Sequence, residues 1–187
     1  MVKKIMLAFV SFLMFFIVLA GCRKLNTESE VSSIADNMPL TGFRNAVKSA
    51  YGESYMSTIP LTKKQIEEEF RLTPELYVDI LAEGPAMQSY ADTFVAVKAK
   101  RGHAEAVASA FQGYKKRQMA KWLNNPEMLA KLRASKIEIF EDYVFFLVQG
   151  RALPDYAKDN SEAAISYSEK QSDIGVRAIA GYLEQRA

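Results

Sequence analysis

Tyr143-Val144-Phe145-Phe146-Leu147-Val148 is a run of six apolar residues rich in β-branched and aromatic side chains. It is too short for a typical helix, and Gly150 closes it. As a strand it is apolar on both alternating faces, so both faces must be covered. Just upstream, Lys136 to Phe140 carries Ile137 and Ile139 in alternation. Glu141-Asp142 joins the two segments, which therefore pair as a hairpin. Thr93-Phe94-Val95-Ala96-Val97-Lys98 alternates in the same manner and is a further strand, left at Lys98, Lys100 and Arg101 and turned at Gly102. Before it, Glu75 to Glu83 sets Val78, Ile80 and Ala82 against Tyr77, Asp79 and Leu81. A strand fits that pattern. A helix starting at Pro74 competes with it, since proline suits a first helical turn. Gly84-Pro85 is expected to break the segment.

Between the two strand pairs lies the longest helical pattern, His103 to Asn124. Ala104, Val107, Ala108, Phe111, Tyr114 and Trp122 form its apolar stripe, with Met119 alongside. Asn124-Asn125-Pro126 ends it, and Pro126 opens a short helix through Leu132. Upstream, Pro39 to Tyr51 places Leu40, Phe43, Val47 and Ala50 on one helical face, with Gly52 as the stop. Glu53 to Pro60 is expected to be a loop. Thr62-Lys63-Lys64-Gln65 is a capping box for a helix over Lys63 to Phe70 that buries Ile66 and Phe70.

These elements predict an α+β fold. An antiparallel sheet of about four strands, in the order ββαββ, packs on the long helix, with additional N- and C-terminal helices. The domain is expected over residues 38–151. Residues 152–187 are expected to form a polar loop and then a helix, starting near Ser161 or near Asp173, with Ile174, Ala178, Ile179, Tyr182 and Leu183 on one side.

The N-terminus has a different character. Lys3 and Lys4 precede Ile5 to Ala20, 16 residues without a charge. That is short of the roughly 20 a spanning helix prefers. Leu19-Ala20-Gly21-Cys22 follows, and Cys22 is the only cysteine in the chain. Small residues before a thiol match the lipobox of bacterial lipoproteins: cleavage between Gly21 and Cys22, and acyl chains on the cysteine. Residues 1–21 are then a signal peptide, and residues 22–37 a lipidated cysteine with a polar tether reaching on the order of 20 Å. Two alternatives are an uncleaved N-terminal anchor and an ordinary secretory signal with a chance cysteine. The expected location is the extracytoplasmic face of the cell membrane, with the membrane itself as a partner through Cys22. The chain has 24 basic and 22 acidic residues, and without Lys3 and Lys4 the two numbers are equal. No nucleic-acid partner is expected from so neutral a domain.

Tyr90-Ala91-Asp92-Thr93-Phe94-Val95-Ala96-Val97-Lys98-Ala99-Lys100, following a lipobox, resembles a family of small bacterial lipoproteins carrying the domain of unknown function DUF4358. The similarity lies in a small-acidic pair before an apolar strand that ends in Lys-Ala-Lys, and it spans Leu40 to Gln149. The family is found mainly in Gram-positive species and implies location and fold class, not a reaction. Glu141-Asp142 stands where the family leads one to expect a glycine-containing turn, and the segment after Arg151 falls outside the resemblance.

Chemistry is sparse. His103 is the only histidine, so His-based zinc sites and serine–histidine triads find little support, and at the start of a helix it reads as a capping or surface residue rather than a catalytic base. No cofactor motif is present. Glu67, Glu68 and Glu69 are expected on a solvated face. Glu83 with Asp92, and Glu141 with Asp142, are the carboxylate pairs that acid–base chemistry on envelope material would need; exposed turn carboxylates are the simpler reading. Lys115, Lys116, Arg117 and Lys121 are candidates for binding an anionic envelope polymer or headgroups, against a plain solubilising helix face. The expected role is non-enzymatic binding or scaffolding of an envelope protein or polymer. The alternatives are a carboxylate-dependent enzyme and a small ligand-binding lipoprotein.

Overall fold

A computed structural model of the protein describes residues 38–151 and 162–185. The expected signal peptide, cleavage site and tether (residues 1–37) and the polar loop at 152–161 lie outside the described residues. The elements are α1 (Leu40–Tyr51), a 3-10 turn (Gly52–Ser54), β1 (Ser57–Pro60), α2 (Lys63–Phe70), β2 (Tyr77–Pro85), β3 (Thr93–Ala99), α3 (Ala104–Lys121), α4 (Pro126–Arg133), β4 (Lys136–Phe140), β5 (Tyr143–Val148) and α5 (Glu162–Glu184).

The fold is α+β, built on one antiparallel sheet in the order β1-β2-β3-β5-β4. Strand β5 lies inside it, and all six of its residues are buried. Its two faces feed two separate cores. Val144, Phe146 and Val148 pack with Val95, Val97, Phe70, Phe111, Met128 and Leu132, under α2, α3 and α4. Tyr143, Phe145 and Leu147 pack with Phe94, Phe43, Val47 and Ile179, under α1 and α5. The covered strand inferred from sequence is therefore sandwiched between helical layers. Full burial of each such phenylalanine stabilises the fold by roughly 2–3 kcal/mol as an upper estimate.

The sheet has five strands rather than four. The additional one, β1, falls in the stretch expected to be a loop. Only Ser57 of its four residues is buried, so it shows no apolar alternation, and Pro60 is tolerated because the strand is an edge. Gly84-Pro85 does not break β2, which runs through Pro85 opposite Ser57. A bulge between Tyr77 and Asp79 turns Val78 out to 65% exposure, so the alternation that included Val78 holds only from Ile80 onward. On α1 the buried set is Leu40, Phe43, Val47 and Tyr51, while Ala50 is exposed. The face advances by four residues at its last step, not three. The capping box at Thr62 and Gln65 forms, with the Gln65 amide 3.3 Å from the threonine hydroxyl. Helix α5 begins at Glu162, and Ile179 fixes it in the second core.

Candidate functional site

Several buried polar side chains, Ser57, Asp92, Lys131 and Gln149 among them, gather at one end of the sheet. Thr93 and Val148 are register partners, so Asp92 and Gln149 leave β3 and β5 side by side. Ser57 opens β1 at the same end, and the Gln149 amide nitrogen donates to its hydroxyl. Helix α4 supplies Lys131. Its start is set by Pro126 in the first turn and by Asn125, whose side chain accepts from the Met128 amide at 3.0 Å. Lys131 lies three residues after Met128 on the buried face of that helix.

Lys131 Nζ lies 2.7 and 2.6 Å from the two carboxylate oxygens of Asp92. The side chains are 4% and 0% exposed. Burial pushes the Asp92 carboxyl above the usual carboxylate range, against the opposing pull of the Lys131 charge and hydrogen bonds. Nearby, the Thr93 hydroxyl donates to the Ala91 carbonyl at 3.0 Å, which holds the turn into β3. Among the described residues, Gln149 Oε1 and Ser135 Oγ are buried without a hydrogen-bond partner.

Beside the pair opens a cleft of about 300 Å³, lined in part by Glu53, Ser54, Tyr90, Glu127, Lys131 and Arg151. Arg151 Nε donates to Ser54 Oγ at 2.8 Å, which fixes the guanidinium at the rim. The Arg151 amide donates to Gln171 Oε1 at 3.3 Å, so α5 supports the same rim. Among the described residues, no cluster of three His, Cys, Asp or Glu side chains could hold a metal ion.

The residues singled out from sequence end up in different places. Gly21 and Cys22 lie outside the described residues. Glu83 and Asp92 are not exposed turn carboxylates. Glu83 is 5% exposed, with Arg44 Nη1 at 2.8 Å and the Tyr55 hydroxyl donating to it at 2.7 Å. Each of these two carboxylates is thus neutralised by its own cation. Glu141 is exposed and Asp142 half-buried in the hairpin, and the Glu67–Glu69 run is solvated as expected. His103 is exposed and makes no side-chain cap.

The basic residues of α3 do not form one patch. Lys115 turns inward and donates to the carbonyls of Arg133 and Ser135, at 3.0 and 3.3 Å. Burial, with a smaller push from Lys136, holds its ammonium below the usual lysine range. Arg117 Nη2 donates to the Glu69 carbonyl at 2.5 Å and ties α2 to α3. Lys116 and Lys121 are exposed, and Lys121 lies over the Trp122 ring at 5.6 Å. Sequence reasoning missed Lys131 altogether. The available signal was a lysine set among Met128, Leu129 and Leu132 in a helix with few polar alternatives.

No curated protein and no solved structure matches the chain. The family model for the domain of unknown function DUF4358 matches residues 50–149, more than half of the chain. That span holds β1 through β5 and the buried set of Ser57, Asp92, Lys131 and Gln149. The chain therefore belongs to the DUF4358 family.

Proposed function

We propose that the protein is a lipid-anchored envelope protein, held on the extracytoplasmic face of the cell membrane by acyl chains on Cys22, whose folded domain binds a partner without catalysis. The observation that carries this is Leu19-Ala20-Gly21-Cys22 at the end of a charge-free run behind Lys3 and Lys4. Among the described residues no helix is long and apolar enough to cross a membrane. Growth of the expressing cells with an alkyne fatty acid should label the wild-type chain and leave Cys22→Ala unlabelled. Label entering Cys22→Ala would sink the proposal.

Binding is favoured over acid–base catalysis because Glu83 and Asp92 are each locked to a cation. Binding of a small ligand is favoured over scaffolding by the polar cleft next to Lys131. The large exposed apolar side chains are spread over the domain and give scaffolding little support: Ile59 and Ile139 sit on opposite edge strands, Val78 at the bulge of β2, Met87 in the loop after β2, and Leu123 after α3.

A further inference from the structure

We infer that the cleft at the end of the sheet takes a dibasic α-amino acid of the lysine type; this rests on the small-ligand form of the function proposed above. Charge is the first consideration. The Asp92–Lys131 pair is closed on itself and forms a neutral wall. What the cleft otherwise offers is one guanidinium, Arg151, and two carboxylates, Glu53 and Glu127. Among the described residues none of these three makes an ion pair. A ligand with one carboxylate and two cationic groups complements that set, and a simple zwitterion leaves one wall carboxylate unanswered.

Geometry is the second. Ser54 holds Arg151 through Nε, which leaves both terminal nitrogens to face a carboxylate as a two-pronged donor. Glu53 comes from the 3-10 turn after α1 and Glu127 from the first turn of α4, so the two anionic groups stand on different elements. Tyr90 and Met56 supply apolar surface for a methylene stem. A volume of about 300 Å³ is at the low end of ligand sites and suits a single amino acid better than a polymer.

The test is calorimetric titration of the full chain in detergent with lysine, norleucine, acetate and butylamine. Norleucine keeps the α-amino acid and the stem but lacks the second cation. Lysine should bind at least about tenfold more tightly than norleucine. Arg151→Ala should weaken lysine by at least about tenfold, and Glu127→Gln or Glu53→Gln should erase the preference for lysine over norleucine. Both kinds of variant alter side chains on exposed residues, where substitutions cost little stability. Norleucine binding as well as lysine overturns the inference, as does an Arg151→Ala variant that binds lysine normally. Binding of acetate or butylamine without preference for lysine overturns the dibasic ligand and leaves the cleft as a binding site. No binding of any probe overturns both, while the anchor is decided independently by the fatty-acid label.

Discussion

Lys131 Nζ sits within 2.7 Å of both carboxylate oxygens of Asp92, and neither side chain has more than 4% of its surface exposed. Two charges taken out of water this completely add little net stability as a pair, yet each depends on the other. Lys131→Met should therefore destabilise the fold by about 3–5 kcal/mol in urea titrations, because it strands a buried carboxyl. The double variant Asp92→Leu/Lys131→Met should recover most of that loss. A Lys131→Met variant within about 1 kcal/mol of wild type would mean that the pair is wetter than the structure shows.

Alkaline pH should weaken the fold through its buried phenols. Burial raises Tyr114 from 10.0 to about 12. It also raises Tyr51 and Tyr55 well beyond the ordinary tyrosine value, and the Glu83 carboxylate adds to the rise at Tyr55. Each folded-state value lies above the unfolded one. The stability these groups contribute is fully present below pH ~10 and is lost as pH rises through the folded values. Lys115 acts in the opposite direction: its folded value lies below 10.5, so the fold gains from it as pH approaches 10.5. Three phenols outweigh one half-buried ammonium. Melting temperature should hold up to about pH 10 and then fall, and phenolate absorbance from these three tyrosines should appear only with unfolding. Full phenolate absorbance at pH ~11 in the folded protein would contradict this.

Most of the sheet was legible in the sequence because its inner strands are apolar almost throughout, as in Tyr143–Val148 and in Thr93–Ala99, where every residue but Lys98 is buried. What was not legible depends on distant partners. Ser57–Pro60 becomes a strand only because Glu83, Gly84 and Pro85 offer it an edge. Glu83 and Asp92 look like turn carboxylates until Arg44 and Lys131, each 39 residues away, are placed against them. Lys115 reads as one of four surface cations, and only the fold shows carbonyls from the end of α4 waiting for it. The candidate cleft was invisible for the same reason, since its walls come from a 3-10 turn, a loop, α4 and the residues after β5.

Arg71 and Glu141 are the non-glycine residues at positive φ among the described residues, at 58° and 53°. Arg71 caps α2 in the left-handed conformation, its amide donating to the Glu67 carbonyl at 3.0 Å. Glu141 makes the tight turn between β4 and β5, where a glycine was expected. A side chain in this region costs roughly 1–2 kcal/mol, partly offset by the greater unfolded freedom of glycine. Glu141→Gly and Arg71→Gly should each raise stability by about 0.5–1 kcal/mol, read as an upward shift in urea midpoint at unchanged slope. A downward shift for Glu141→Gly would mean that its side chain holds the hairpin by contacts that outweigh the strain.

Two glycines of α5 should respond to alanine with opposite signs. The Tyr51 hydroxyl is set against the helix backbone, donating to the Gln171 carbonyl at 2.7 Å and accepting the Gly175 amide at 3.1 Å. A Cβ on Gly175 would come to 2.6 Å from Leu147 Cδ2 and 3.1 Å from that hydroxyl. Leu147 is fully buried in the interior strand β5 and has little room to swing aside. The gain of about 1 kcal/mol from alanine's better helix propensity is then outweighed by overpacking of about 1–3 kcal/mol, together with a displaced Tyr51 hydrogen bond. Gly181 lies on the same helix, and among the described residues nothing beyond its own helix backbone and chain neighbours comes within 4 Å of an added Cβ. There only the propensity acts, so Gly181→Ala should stabilise by about 0.8–1 kcal/mol while Gly175→Ala destabilises. Denaturation curves of the two variants decide it, and stabilisation by Gly175→Ala would show that α5 does not dock on Leu147 and Tyr51 at this distance.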